Sequence, residues 1–516
     1  AGVVNLTVEP LLHAQYATPR GLALERWSLG FAERTRGKFP QLAGSEKLDK
    51  MLSPDQREAA EKFLGNRDQV VCLRGAAGVG KTTVLKSLHA CLEAAGNSVH
   101  YCAPTSPAAD TLRREGISRA RTVTDFLENV ARREGAELNG AVFVVDEAGL
   151  ASNVQGAAIL RLAERHEARV VFLGDSRQHT SVEAGDFVRV LERYAPVQCV
   201  ELTEIRRQLA GEYRAAVKLM AVGGTLAGLE RLDACGWIKE GKADYLRAAA
   251  MEFLDKTTGG SRLDAAIAVT PTWAENRVFS AVVREDLKSL GVLRGGEMIT
   301  AYEPLSWTRA EKRRAENYEV GMVVTFNRSG SGFRAGDLGR VARVENGHVR
   351  IETKGVERSL PIRSGIFDVA KTNALEICAG ERLLVRANYR REGLLNGDFV
   401  TVAAVRAGII TTNDGRVIDT ARVHHLTHGY AVTSHKSQSK TADHVVVAAE
   451  RLDEKATYVA CSRGRLSCSL HVPDRANLFG RLADGERTAA VEVLAREATS
   501  KSVLSRGQVW AALSRV

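Results

Sequence analysis

Val70-Val71-Cys72-Leu73-Arg74-Gly75-Ala76-Ala77-Gly78-Val79-Gly80-Lys81-Thr82-Thr83 is the stretch on which the fold turns. An apolar run of strand length leads straight into a glycine-rich turn and then into the helical stretch Thr83–Leu92, and Gly75 to Thr82 fits the spacing GxxxxGK[ST]. Glycines at those positions let successive backbone N–H groups turn inward around phosphate oxygens, while the following helix N-terminus adds positive potential. Lys81 is placed to reach the β- and γ-phosphates and Thr82 to hold Mg²⁺, so Gly75, Gly78, Gly80, Lys81, Thr82 and Thr83 are the candidate nucleotide ligands.

Working outward, short apolar runs alternate with helical stretches: Gln69–Leu73, Ser98–Ala103, Ala141–Val145, Val170–Leu173 and Val197–Leu202. That alternation predicts a parallel sheet covered by helices. Upstream, Ser53-Pro54-Asp55-Gln56 reads as an N-cap with proline at the first helical position. The run Val142–Val145 ends in Asp146 and Glu147, adjacent carboxylates of the kind that hold Mg²⁺ and orient an attacking water beside a phosphate loop. Gly174-Asp175-Ser176-Arg177-Gln178-His179 follows the next apolar run, which puts Gln178 at a strand's carboxyl end, where it can sense a γ-phosphate.

Residues 211–262 read as mostly helical, and a second α/β stretch starts with Ala265–Thr270. From about Gly321 to His424 the character changes to short β-runs with glycine turns, which predicts small barrels, and Gly336-Asp337 and Gly397-Asp398 suggest a duplication. This insert carries 16 Lys/Arg against 11 Asp/Glu, half of the chain's net charge of +10. The α/β pattern resumes at Tyr430 with His444–Ala449 and a run near Ser469–Val472, and the tail from Asp474 is helical.

At 516 residues and 26% charged, the chain has material for several buried cores, which argues against disorder or a small stapled module. No apolar run is long enough for a membrane helix, and the eight cysteines form no CxxC pair, which predicts reduced, cytoplasmic core thiols and no membrane insertion. The opening Ala1-Gly2-Val3-Val4, without Met or the order of a signal peptide, suggests a piece of something longer. The basic balance suggests a polyanionic partner.

In this order the segments resemble a superfamily 1 DNA helicase, most of all the RecD-like, 5′→3′ branch that includes the helicase part of MobF-type conjugative relaxases, over about residues 10 to 475. On that resemblance Gln56 is the adenine contact, Lys81 and Thr82 belong to motif I, Asp146 and Glu147 to motif II, and Gln178 to motif III. Ala103-Pro104-Thr105 resembles motif Ia, in which Thr105 holds a DNA phosphate. Leu202-Thr203-Glu204-Ile205-Arg206-Arg207-Gln208 resembles motif IV, with Arg207 as the first arginine finger. Gly429 to Lys440 resembles motif V, and Tyr458-Val459-Ala460-Cys461-Ser462-Arg463 resembles motif VI, with Arg463 as the second finger. Ser181-Val182-Glu183-Ala184-Gly185-Asp186, the paired barrel segments ending in Leu395-Asn396-Gly397-Asp398, and Tyr16 to Glu25 favour the conjugative branch. Ser439 departs from the pattern, standing where the family has Gly.

The resemblance implies an α/β fold with two RecA-like P-loop cores and a β-rich, SH3-like barrel insert in the second core. The implied division is an N-terminal arm over 1–50, a first core over 51–210, a helical connection over 211–262, a second core over 263–320 and 425–475, the insert over 321–424, and a helical tail over 476–516. It implies ATP and Mg²⁺ as cofactors, Mg²⁺ being held by Thr82 and Asp146, and catalytic roles for Lys81, Asp146, Glu147, Gln178, Arg207 and Arg463. Single-stranded DNA and single/double-strand junctions are the implied partners, alongside a relaxase domain and other conjugation proteins. Candidate DNA contacts are Thr105, Thr270, Trp273, Thr433, His435 and Lys436. With so short an N-terminal arm, the relaxase's His-rich metal site and catalytic Tyr are expected outside this chain. Rival readings are a RecD-like repair or recombination helicase and a catalytically weak single-strand-binding loading module. Phe326, Phe333 and Tyr389 read as barrel core, Lys312-Arg313-Arg314 as a solvated helix face, and His424, His425, His428 and His435 lack the acidic or thiol partners of a metal site.

Overall fold

The Val70–Gly75 strand lies between Arg169–Gly174 and Cys199–Leu202 in a six-stranded sheet, continued on the far side of Arg169–Gly174 by Val142–Val145, Val99–Ala103 and Arg121–Thr122. All neighbours pair in parallel. Helices cover such a sheet on both faces, so its central strands are apolar throughout rather than alternating; Val142–Val145 and Arg169–Gly174 are buried at every position. The order crosses over beside Val70–Gly75, and the crevice at the carboxyl ends of these strands is where an open α/β sheet binds its ligand. The computed structural model describes residues 4–5, 16–130, 135–181, 185–438, 440–482, 489–499 and 504–513. Val182, Glu183, Ala184 and Ser439, quoted above, lie outside the described residues.

Two compact units divide the chain: Ala1–Thr257 with Asp264–Phe279 and Val432–Val516, and Thr258–Leu263 with Ser280–Ala431. The first unit holds the six-stranded sheet and a second one, ordered Ala431–Val432, Ala266–Val269, Ala442–Ala448, Gly464–Val472, Ile238–Glu240. Its inner pairs are again parallel. The strand Ile238–Glu240 interrupts the otherwise helical connection, because its three residues complete the sheet's edge against Leu470–Val472.

Both ends of the chain build the first sheet's core. Leu29 and Phe31 of the helix Pro19–Arg34, Val491 and Ala495 of Ala490–Thr499, and Val509 and Leu513 of Arg506–Leu513 share one cluster with Val70, Phe143 and Phe172. Charge is buried with them. Arg189 lies between Asp186 (2.8 Å) and Glu492 (2.8 Å), and Glu492 also accepts from the Tyr194 hydroxyl at 2.5 Å. Glu25 accepts from Asn153 at 2.8 Å and from the Val491 amide at 3.0 Å.

The second unit is antiparallel. Arg294–Pro304, Phe367–Ala379, Val323–Phe326, Leu338–Glu345, His348–Thr353 and Val356–Ser359 form one sheet in that order; Val417–Asp419, Ile409–Thr412, Phe399–Arg406, Arg382–Val385 and Leu426–His428 form another. The β-rich region therefore starts upstream of 321, because Arg294–Pro304 pairs along Phe367–Ala379. Two separate clusters fill it, one around Val324, Phe326, Phe333 and Ile351, the other around Leu383, Val400 and Ile410, with Tyr389 packed against the latter. The two Gly-Asp turns are built alike. Asp337 accepts from the Arg334 amide and Asp398 from the Leu395 amide, each at 2.8 Å, and each Gly has a positive φ (89° and 100°) that a side chain would strain.

Candidate nucleotide site

The loop from Gly75 to Lys81 takes its shape from residues packed on its glycines. Gly78 and Gly80 both have φ of +83°, and a Cβ on Gly78 would stand 2.5 Å from that of Arg207. A Cβ on Gly80 would stand 2.7 Å from Gln56 Nε2. These neighbours are bonded to the loop: the Gly78 carbonyl accepts from the amides of Arg206 (2.9 Å) and Arg207 (3.2 Å), and Gln56 Nε2 donates to the Val79 carbonyl at 2.9 Å. Gln56 is held by its own capping box, its Oε1 accepting from the Ser53 amide at 3.2 Å. Lys81, first residue of the helix Lys81–Ala94, donates its ammonium to the Gly75 carbonyl at 2.7 Å.

Lys81, Thr82, Asp146, Glu147, Gln178, Arg207 and Arg463 line one cavity together with Gly78 and Gly80, whereas Gly75, Thr83 and Gln56 are not among its lining residues. Burial, and then the charge of neighbouring Glu147, push the Asp146 carboxyl up to about 7 against the opposing pull of Lys81. Glu147 itself sits at φ +49°, a left-handed conformation uncommon for a non-glycine residue and costly unless its surroundings hold it. Its carboxylate accepts from Gln438 at 2.9 Å. A hydroxyl from Thr82 and the carboxylate of Asp146 facing one cavity are the hard oxygen donors that suit Mg²⁺.

The opposite wall is cationic. Arg463, 2% exposed, follows the helix Glu454–Cys461 and donates to the Val459 carbonyl and the Ser462 hydroxyl, both at 2.8 Å. Arg207 donates to the Ser462 carbonyl at 2.8 Å. Burial first, and then repulsion from Arg463, pushes the Arg207 guanidinium down to about 9; burial also lowers Arg463. Two desolvated guanidiniums and an ammonium around one cavity favour an anion of several charges.

The candidate DNA residues are scattered by comparison. Thr105 caps Ser106–Arg114, accepting from the Ala108 amide at 3.4 Å. Thr433 stands at the N-cap of Ser434–Ser437, Lys436 is half-buried, and the exposed His435 ring stacks on buried His179 with centroids 3.7 Å apart. Trp273 opens the helix Trp273–Ser289 and is half-buried. Thr270 is 0% exposed, and its buried hydroxyl has no hydrogen-bond partner. Among the described residues there is no group of three or more His, Cys, Asp or Glu that could hold a metal ion.

Some lining residues had no role in the sequence reading. Thr111 and Glu115 reach the cavity beside Ala108 from one face of a helix and its C-cap. Their spacing of three and four is a signal for a shared face, but nothing local marks which face meets a ligand.

Fold and site together define a phosphate-loop, nucleotide-binding protein whose site draws on two parallel sheets. Residues 51–243 match the family described as AAA domain. Conjugal transfer protein TraA of Rhizobium radiobacter is 27% identical over 492 residues, 92% of this chain and 38% of TraA. The ATP-dependent RecD2 DNA helicase of Deinococcus radiodurans is 31% identical over 169 residues, 32% of this chain and 23% of that protein. A solved structure of two coordinating Pif1 helicases, concerned with unwinding at forked double-stranded DNA, covers 83% of this chain and 94% of its own at 17% identity and a TM-score of 0.46. The chain resembles the RecD-like superfamily 1 helicases and, along most of its length, the conjugal transfer proteins, of which it spans well under half.

Proposed function

We propose that this chain is an ATP- and Mg²⁺-dependent DNA helicase that moves 5′→3′ on single-stranded DNA, as the helicase part of a conjugative relaxase acting in plasmid transfer. The observation that carries the reading is the single cavity in which Lys81, Asp146 and Glu147 of the first sheet meet Arg463 of the second, with Arg207 beside them. The loop amides and Lys81 bind the phosphates, Gln56 supports the loop on the adenine side, and Thr82 and Asp146 hold Mg²⁺, which neutralises phosphate charge when bound. Glu147, braced by Gln438, orients the attacking water and takes its proton. Arg207 and Arg463 stabilise charge on the transferring phosphoryl group, contacts that form only when the two sheets close. Closure and opening then shift the Thr105 side against the Thr433, His435 and Lys436 side along one strand.

In this reading the two parallel sheets are RecA-like cores, the antiparallel region is an SH3-like insert, and the protein works in the cytoplasm at single/double-strand junctions beside a relaxase domain. The likeness to RecD2 favours a second reading, a repair or recombination motor with the same chemistry. A loading module without hydrolysis is disfavoured by the complete set Lys81, Asp146, Glu147, Gln178, Arg207 and Arg463.

ATP hydrolysis by the wild-type chain should rise on adding single-stranded DNA, and Lys81→Ala should abolish it while single-strand binding persists. Hydrolysis that survives in Lys81→Ala would refute the site. Unwinding of 5′-tailed but not 3′-tailed duplexes tests the direction.

A further inference from the structure

One hydroxyl ties the two sheets together at the phosphate loop. Tyr458 belongs to the helix Glu454–Cys461 and is 1% exposed. Its Oη accepts from the Ala77 amide, inside the loop, at 2.9 Å and donates to Asp175 Oδ2 at 2.8 Å. Asp175, 3% exposed, follows the strand Arg169–Gly174; the same Oδ2 accepts from Gln178 Nε2 at 3.1 Å, and Oδ1 accepts from the Arg177 amide at 3.1 Å. The hydroxyl is thus satisfied as donor and as acceptor, and its two partners are the loop that cradles phosphate and the carboxylate that orients Gln178.

A phenyl ring would fill the same buried volume, so packing alone does not call for the oxygen. Its removal leaves the Ala77 amide without this acceptor and takes from Asp175 Oδ2 the donor it has beside Gln178 Nε2. A bond to a buried carboxylate is worth more than one between neutral groups, and losing one partner exposes the other's desolvation cost.

We infer that Tyr458 is a positioning residue: its hydroxyl, carried on the second sheet, fixes Ala77 and Asp175 relative to each other and so sets Gln178 for hydrolysis when the sheets close. It touches no reacting atom and acts through Asp175. The inference rests on the proposed ATPase reading and adds to it the route by which the helix leading to Arg463 also reaches Gln178.

The test is the Tyr458→Phe variant of the full chain, assayed for ATP turnover with saturating single-stranded DNA beside wild type, Gln178→Ala and the double variant. In Tyr458→Phe, kcat should fall about tenfold, the size expected from one charge-assisted hydrogen bond, while KM for ATP stays within about twofold. The double variant should be no slower than Gln178→Ala, because both act through one relay. Asp175→Asn, close in size, should reproduce the kcat loss and serves if Tyr458→Phe folds poorly. Wild-type kcat in Tyr458→Phe, or losses that multiply in the double variant, would overturn the inference and leave the ATPase reading standing. A wild-type chain without DNA-stimulated turnover would overturn both.

Discussion

Asp146 is kept against its own preference. Its carboxyl is buried beside Glu147 and pushed up to about 7 from an ordinary value of 3.8. A raised acid destabilises the fold when ionised, so its contribution is complete below pH 3.8 and is lost as pH rises through about 7. Asp146→Asn should therefore raise the melting temperature by a few degrees at pH 8, and by much less at pH 5, while abolishing Mg²⁺-dependent hydrolysis. Thermal scans at the two pH values check the first part and a phosphate-release assay the second. His179 has the opposite sign. Burial and the stacked His435 push it down to about 3 from 6.5, with Arg463 and Lys455 adding to the repulsion and a bond from the Ser434 region opposing it. Its contribution is complete above 6.5 and is lost as pH falls toward 3. His179→Phe, which keeps a ring against His435, should flatten the acid side of the stability curve by up to ~1.4 kcal/mol per pH unit, read from urea melts at pH 6 and pH 5.

At the scale of elements, the C-terminal helix Ala490–Thr499 is bound to the first sheet by charge as well as by apolar packing. Glu492 and Arg189 are 4% and 7% exposed and 2.8 Å apart. Glu492→Ala takes a carboxylate partner from buried Arg189 and should cost about 3–5 kcal/mol in urea unfolding. Glu164→Ala, which removes an exposed partner of Arg34 at 3.8 Å, should cost under about 1 kcal/mol. This contrast marks the limit of what was legible in the residues. The strand, loop and helix around Lys81 could be read because glycine spacing and apolar runs are local constraints, as are the short β-runs with glycine turns between Gly321 and His424. The matching Gly-Asp turns could be read for the same reason. Arg294–Pro304 could not, because exposed glycines and charges fill it and its stability comes from a partner strand more than sixty residues away. The tail from Asp474 reads only as helical, and Tyr458 only as part of the segment ending in Arg463, because the partners that give Glu492 and Tyr458 their roles are distant in sequence. The burial of Thr270 was not legible for the same reason: its amide donates to the Val432 carbonyl, far along the chain.

Over the whole molecule, the net charge of +10 bears on how a nucleic acid would be held. The β-rich stretch 320–424 carries 16 Lys/Arg against 11 Asp/Glu, yet several of these cations are already engaged. Arg343 pairs with Glu357 at 2.8 Å, Lys354 with Asp337 at 2.7 Å and Lys371 with Glu319 at 2.9 Å. Exposed pairs of this kind are weak, so a phosphate backbone competes for them at little cost. Binding of this kind is tolerant of base sequence and releases counterions in proportion to the phosphates neutralised. If about four phosphates are neutralised, affinity for a single strand should fall about 50-fold between about 50 and about 200 mM salt, with a log–log slope near −2.8. Fluorescence anisotropy with labelled single strands of two unrelated sequences should give the same slope for both. A flat response would mean that the excess charge is spent within the protein, and affinities that differ between the two sequences at one salt concentration would mean that bases as well as phosphates are read.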